Sequence, residues 1–266
     1  MSRTARIFWI HARIGLLAEL QYRTDVWARL LSTVILTGAS LASIAIVYSN
    51  VDEVAGWTRS DLVVVIGTFL VLGALVNGII HVSMAELARD IKQGTLDFRL
   101  LKPVDAQALA LVQKVDPWRG FDVLLGTGLC AWGMSTGGRI GSIGDGAASI
   151  AGGLVLLVAG AVMLAGFWLL VTCVAFWTIQ GEGILWALDD MYDHMRWPIT
   201  MFAPGLRLAL MTAFPAGLAI TAPAQALTGR LDASLLLVTG CTSLAFLLAA
   251  RVTWLRALRR YEGASG

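Results

Sequence analysis

Asp189, Asp190 and Asp193, in the run DDMYD, are the densest set of chemically active side chains in the sequence. On a helix, residues three and four apart share a face, so Asp193 falls beside both Asp189 and Asp190 and the carboxylates can jointly hold Mg²⁺ against a diphosphate. Such chemistry needs a second acidic cluster facing the first, and no other polar segment supplies one. The competing reading is the solvated acidic face of a short helix turned toward a basic partner. His11, His81 and His194 stand far apart on different segments. The sequence contains no G-x-x-x-x-G-K-[ST] phosphate loop, H-E-x-x-H zinc helix or G-x-S-x-G elbow. No catalytic residue, metal ligand or cofactor is therefore expected in this chain, and any ATP that drives it is bound elsewhere. Cys130, Cys173 and Cys241 all lie in apolar runs and read as small core residues rather than a disulfide or zinc set.

The elements that carry these residues are membrane helices. Of 266 residues, 57% are hydrophobic and only 14% charged, with a mean hydropathy of +0.74, whereas a soluble domain is about a quarter charged. A bilayer core of about 30 Å takes about 20 helical residues. On that measure one membrane domain, 1–266, is expected to hold six spans near 30–48, 62–82, 121–138, 150–178, 204–220 and 233–254. In the fifth, Pro204 sits in the tolerated first turn, Arg207 snorkels to the inner interface and Pro215 kinks the helix. The remainder, TAPAQALTGR, is too short to cross and is expected to dip into the outer leaflet or lie on it.

Lys and Arg outside the spans number sixteen on one side and three, Arg59, Arg139 and Arg230, on the other. This asymmetry predicts an even number of spans with both termini cytoplasmic. Arg196 counts among the sixteen. The N-terminal segment, broken by arginines, does not read as a cleavable signal; Ile7, Ile10, Ile14 and Leu17 at helical spacing suggest an interfacial helix instead. A net charge of +2 gives no reason to expect a nucleic-acid partner.

Polar residues within the spans are few: Asn77, His81, Gln180 and Arg207. His81 and Arg207 are expected near the inner interface as anchors. Small residues four apart, Gly38 with Ala42 and Ala39 with Ser43 on the first span and Ala161 with Ala165 on the fourth, are candidate helix contacts. The first two pairs are candidates for a dimer seam.

The link after the second span, ELARDIKQGTLDFRLLKPVDAQALALVQKV, mixes charge with Leu and Phe and brackets Thr95 to Lys102 between Gly94 and Pro103. That is the pattern of a short helix shown either to a soluble partner or to lipid headgroups. Gly94, Leu96, Asp97, Leu100, Leu101, Lys102 and Pro103 match a G-x-L-D-x-x-L-L-[KR]-P element. FWT at Phe176 to Thr178, WPITMFAPGLR from Trp197 and FPAGLAITAPAQALTGR from Phe214 extend the match. The chain thereby resembles permease subunits of ABC exporters of the ABC-2 type, in the six-span branch that includes viologen-exporter-like systems. The resemblance implies an all-α membrane protein with an N-terminal elbow helix and a re-entrant extracellular element before the last span. A coupling helix would be formed by Gly94, Leu96, Asp97, Phe98, Arg99, Leu101, Lys102 and Pro103. It implies assembly of two permease chains, identical or homologous, on two ATP-binding subunits that hold ATP and Mg²⁺, in the plasma (inner) membrane. Pro215, Pro223 and Gln225 fall in the re-entrant gate, where Ile220, Thr221 and Ala222 replace an aromatic pair often found in the branch. A path lined by apolar residues, Thr, Ser and Gly, with no charged ring, would suit a hydrophobic or amphipathic substrate. Two other readings stand beside this one: a membrane-embedded Mg²⁺-dependent transferase, since DDMYD resembles the Asp-rich motif of prenyl-transferring enzymes, and an ATP-independent channel or transporter.

Overall fold

A computed structural model of the chain describes residues 23–101, 105–138, 143–177, 187–188, 191–192, 195–259 and 261. The expected elbow helix, Lys102, Pro103 and the three aspartates of DDMYD lie outside the described residues, as does the side chain of Arg99.

The described chain is helical apart from one small hairpin. Helix α1, Arg23–Val47, begins seven residues before the expected 30 because Arg23, Asp25 and Arg29 continue the same helix past its apolar run. A hairpin of β1 (Glu53–Val54) and β2 (Trp57–Thr58) follows, pairing Glu53 with Thr58 and Val54 with Trp57. Its two-residue turn places Ala55 and Gly56 at φ 52° and 84°, the geometry that matches strand twist. Thr58 then caps the next helix, accepting from the Asp61 N–H while the Asp61 carboxylate accepts from the Thr58 N–H.

That helix is a rod of 35 residues, Arg59–Gln93, built from α2 (Arg59–Leu75), a π turn (Val76–Ile80) and α3 (His81–Gln93). At 1.5 Å per residue it is about 52 Å long, more than a bilayer core needs, so the expected span 62–82 is only its middle part. Leu62 to Phe69 are buried on every side, whereas α3 carries Glu86, Arg89, Asp90 and Lys92. Gly94 at φ 70° ends the rod in the left-handed conformation that glycine adopts without strain. A four-residue helix, α4 (Asp97–Leu100), and α5 (Ala106–Leu111) follow.

Helix α6, Gly120–Thr136, runs antiparallel to α2 and touches it backbone to backbone. A Cβ on Gly67 would fall 2.6 Å from the Gly126 carbonyl, one on Gly126 2.6 Å from the Gly67 carbonyl, and one on Gly133 2.8 Å from the Ser60 carbonyl. Helix α7, Ile143–Cys173, extended by a 3₁₀ turn to Phe176, lies parallel to the last helix, α10 (Ala233–Leu258). Phe246 packs on Phe167, and Trp254 on Phe176. Close backbone approaches of α7 are made by Gly160 on the Ala219 carbonyl and Gly166 on the Phe246 backbone, while Ala161 and Ala165 pack half-buried against the core.

The expected helix 204–220 is two helices. Helix α8, Pro204–Thr212, stops before Pro215, and α9, Ala216–Leu227, leaves it at 97°. Pro215 is the cap from which α9 starts, not a kink within a continuous helix. The segment expected to dip into the outer leaflet, or lie on it as a broken helix, begins as the second half of α9, a helix that is buried nearly throughout and contains Pro223. Arg207 is also displaced from its expected anchor. Its Nη2 donates to the Thr200 carbonyl at 2.6 Å, and the Thr200 hydroxyl accepts from Trp57 Nε1 at 2.7 Å, which puts Arg207 at the hairpin end. The same end holds an ion pair between Asp61 and Arg230, whose guanidinium lies 4.5 Å above the Trp57 ring. Four described helices are long and apolar enough to cross a membrane, Trp27–Val47, Arg59–Gln93, Gly144–Phe176 and Ala233–Leu258, or five spans if α8 with α9 counts as one. At 17 residues α6 is shorter than these.

Candidate functional site

Helix α1 is mostly exposed, and one of its faces is polar. Thr33, Thr37 and Ser40, spaced four and three apart, fall on one stripe. The stripe does not pack tightly on α2. It encloses with Ile66, Phe69, Leu70, Gly73 and Asn77 a cavity of about 240 Å³. The π turn shapes one end of that cavity. Its Gly78 carbonyl accepts the Asp116 N–H at 2.7 Å, and the bare Gly78 Cα lets Arg119 lie against it, since a Cβ there would come 3.0 Å from the Arg119 Cβ. Arg119 is thereby aimed at the cavity, where its Nη1 donates to Asp122 at 3.1 Å; Asp122 also accepts from Thr33 at 3.0 Å. Arg29 pairs with Asp116 at 2.6 Å below them.

The other end is closed by Tyr192 and Arg196. Tyr192 is fully buried and stacks on Phe69 with ring centroids 5.3 Å apart, its hydroxyl donating to the Phe69 carbonyl at 3.3 Å. Arg196 donates to Ser40 at 3.1 Å and lies 5.4 Å from the Phe69 centroid. Two further cavities continue the first. One of about 70 Å³ shares Ser32, Thr33, Arg119 and Asp122 with it, and one of about 230 Å³ shares Ser40, Ile66 and Arg196 and adds Ala39 and Ser43. From Arg29 to Ile44 they follow about 22 Å of α1. The hydroxyls of Ser32, Ser40 and Ser43 donate to carbonyls of their own helix, so they turn lone pairs toward the cavities.

This cleft corrects one expectation. Arg196, counted as an inner-loop charge, stands beside the middle of α1 and α2; with Arg207 moved to the hairpin end, the sixteen-to-three asymmetry becomes fifteen to four. The cleft is lined by Arg119, Arg196 and Asp122 as well as hydroxyls. Sequence reasoning passed over Tyr192 and Arg196 because the surrounding charges read as a loop. A helical signal was present: Leu188, Tyr192, Met195 and Ile199 repeat at four, three and four, and the last three are buried.

The remaining candidate residues fall in three places. At the end of the long rod, the Thr95 N–H and hydroxyl bond to the Asp90 carbonyl and carboxylate at 3.0 and 3.1 Å. Leu96 plugs into the core at 1% exposure, while Phe98 and Leu101 stand 73% and 81% exposed. Burial, and after it the charge of Asp97, pushes the nearby Tyr261 phenol above its usual range. Gly38 and Ala42 are exposed on α1, with open space where a Gly38 side chain would be; Ala39 and Ser43 border the cleft. Pro215, Pro223 and Gln225 start, occupy and end α9, which brings the Thr221 hydroxyl to the Ile199 N–H at 3.1 Å.

A family model described as ABC-2 family transporter protein matches residues 34–265, all but the first 33 residues and the last one. No curated protein and no solved structure matches the chain.

Proposed function

The chain belongs to the ABC-2 transporter family, and on that premise we propose that it is half of the transmembrane path of an ATP-driven exporter, completed by a second permease chain. As a member of that family it is a multi-pass membrane permease component of an ABC transporter and not itself the ATPase. Two ATP-binding subunits, one under each permease chain, supply ATP and Mg²⁺ chemistry. Both termini and α4 face the cytoplasm, and the hairpin faces outside.

The observation that carries this reading is the pairing of a buried Leu96 with exposed Phe98 and Leu101 at the tip of a 35-residue rod. An ATPase moves membrane helices only through a contact stiff enough to transmit displacement. Leu96 and the Asp90–Thr95 bonds fix the base of that contact. Phe98 and Leu101 fill a groove on the ATPase, while Asp97, Arg99 and Lys102 set register by charge, between breaks at Gly94 and Pro103.

Chain continuity supports six crossings, with the fifth moved from its expected place. Helix α7 ends beside Trp254 and Tyr261, whereas α10 starts at the hairpin end, so an odd number of crossings lies between them. Tyr192 beside Phe69, Arg196 beside Ser40 and Thr200 beside Trp57 mark a climb through Leu188, Tyr192 and Met195. Helices α8 and α9 then form the re-entrant element, with Phe214 at its inner tip against Phe167.

Affinity purification of the tagged chain in mild detergent tests the assignment. We expect an ATP-binding subunit to co-purify, and Phe98→Ala with Leu101→Ala to weaken its retention about 30-fold, the equivalent of about 2 kcal/mol for a buried interface aromatic. Full retention and transport in that double variant would return α4 to the lipid headgroups.

A further inference from the structure

We propose that the cleft behind α1 is a head-group site: it takes the anionic oxygen group, phosphate or carboxylate, of an amphipathic molecule whose tail stays in the bilayer. This rests on the permease reading and names the class of substrate that such a permease moves.

The size of the cavity sets the first limit. The compartment of about 240 Å³ between Arg119 and Arg196 is large enough for a head group, and the adjoining cavities of about 230 and 70 Å³ continue it along α1. The lining sets the second. Arg119 and Arg196 present guanidiniums at the two ends of the cavity. Asp122 is committed to Arg119 and Thr33, so it orients Arg119 rather than recruiting a cation. The planar fork of N–H donors on a guanidinium matches a carboxylate or phosphate, and the match strengthens where water is scarce. Arg119 retains a buried Nε, and Asn77 a buried amide oxygen, without a partner among the described residues. Between the two arginines the α1 hydroxyls offer lone pairs, which accept from hydroxyl or ammonium groups on the same head group. The third limit is the outer surface of α1, where Trp27, Leu31, Val34 and Ile35 are exposed. An alkyl tail leaving the cleft past α1 meets apolar surface continuous with lipid.

Binding is measured on the full-length chain in an uncharged maltoside detergent, without nucleotide, using labelled dodecyl phosphate, dodecyltrimethylammonium and inorganic phosphate. Dodecyl phosphate is expected to bind saturably, one per chain, at least tenfold tighter than either other probe. Arg196→Gln should weaken it about tenfold or more, with Arg196→Lys recovering part of the loss; thermal melting of each variant separates lost binding from lost folding. Tighter binding of the ammonium probe would overturn the anionic assignment. Equal binding of inorganic phosphate would overturn the amphipathic one. Unchanged affinity in folded Arg196→Gln would remove the site from this cleft. Because the assay contains no ATPase, such failures leave co-purification, and with it the permease reading, untouched.

Discussion

Asp61 is 2% exposed and Arg230 22% exposed, so their ion pair is largely withdrawn from water. Removing one partner of a buried pair typically costs about 3–5 kcal/mol, because the survivor is stranded. Asp61 also caps α2, so Arg230→Met isolates the pairing effect better than any change at Asp61. We expect Arg230→Met to lower the melting temperature in detergent, and the double change Arg230→Met with Asp61→Asn to recover part of the loss; equal melting of wild type and Arg230→Met would refute the account. Asp105 offers a pH-dependent counterpart outside the membrane. Partial burial works against its charge, but the Ala108 N–H, Arg251 and the Gln107 N–H outweigh it and hold its carboxyl below the usual carboxylate range. A depressed folded value means the stabilisation is full above the ordinary carboxylate pKa and is lost as pH falls through the folded value. The tie from α5 to α10 through Asp105 and Arg251 is therefore intact at neutral pH, and hydrogen exchange in Ala106–Leu111 should accelerate in acid. Asp105→Asn should already show the faster exchange at pH 7.

Between elements, the α2–α6 seam depends on bare glycine. A side chain at Gly126 meets the Gly67 carbonyl, whereas one at Gly128 meets open space. Gly126→Val should therefore cost about 1–3 kcal/mol through forced separation, and Gly128→Ala should be neutral or slightly stabilising; the pair of melting temperatures decides it. The spans α1, α2, α7 and α10 were legible from apolar length alone, since a bilayer fixes that length. The glycine seam was not: small-residue spacing is common in Ala-rich helices, and spacing does not say which face meets a neighbour. Ala161 and Ala165 pack on the core, but their spacing gave no sign that Gly160 and Gly166 beside them touch neighbouring backbone. The passage through Tyr192 and Arg196 was illegible for a different reason. Its charge content keeps it below any hydropathy threshold, and Arg196 within it faces a cleft. The tip at Phe98 was readable because Gly and Pro punctuate it in sequence.

For the molecule as a whole, the rod Arg59–Gln93 is the buried centre, while α1 and α10 are exposed along most of their length. Labelling of single-cysteine variants in sealed cells should mark position 55 from outside and position 95 only after permeabilisation, and external labelling at 95 would invert the topology. Replacing Asp189, Asp190 and Asp193 together by Asn should leave a folded chain with no lost Mg²⁺ binding; Mg²⁺-dependent turnover of a prenyl diphosphate by the wild type would instead favour a transferase. The π turn at the middle of the rod has a consequence for motion. A π turn holds one residue more than the α turn it replaces, so it sets the angular phase between the two halves of the rod. Deleting Ile79 would close it into α-helix and rotate everything from His81 onward by about 100°, carrying Met84 and Leu87 out of the core and swinging Phe98 to another bearing. The rod is in this sense a shaft with a slip joint: the two halves need not turn together, and a π turn that moves along the helix can transmit torque from the ATPase side without bending the shaft. Cysteine pairs joining α7 to α2 on one side of Val76–Ile80 and to α3 on the other should crosslink at different rates during ATP turnover if the joint slips and in step if it does not.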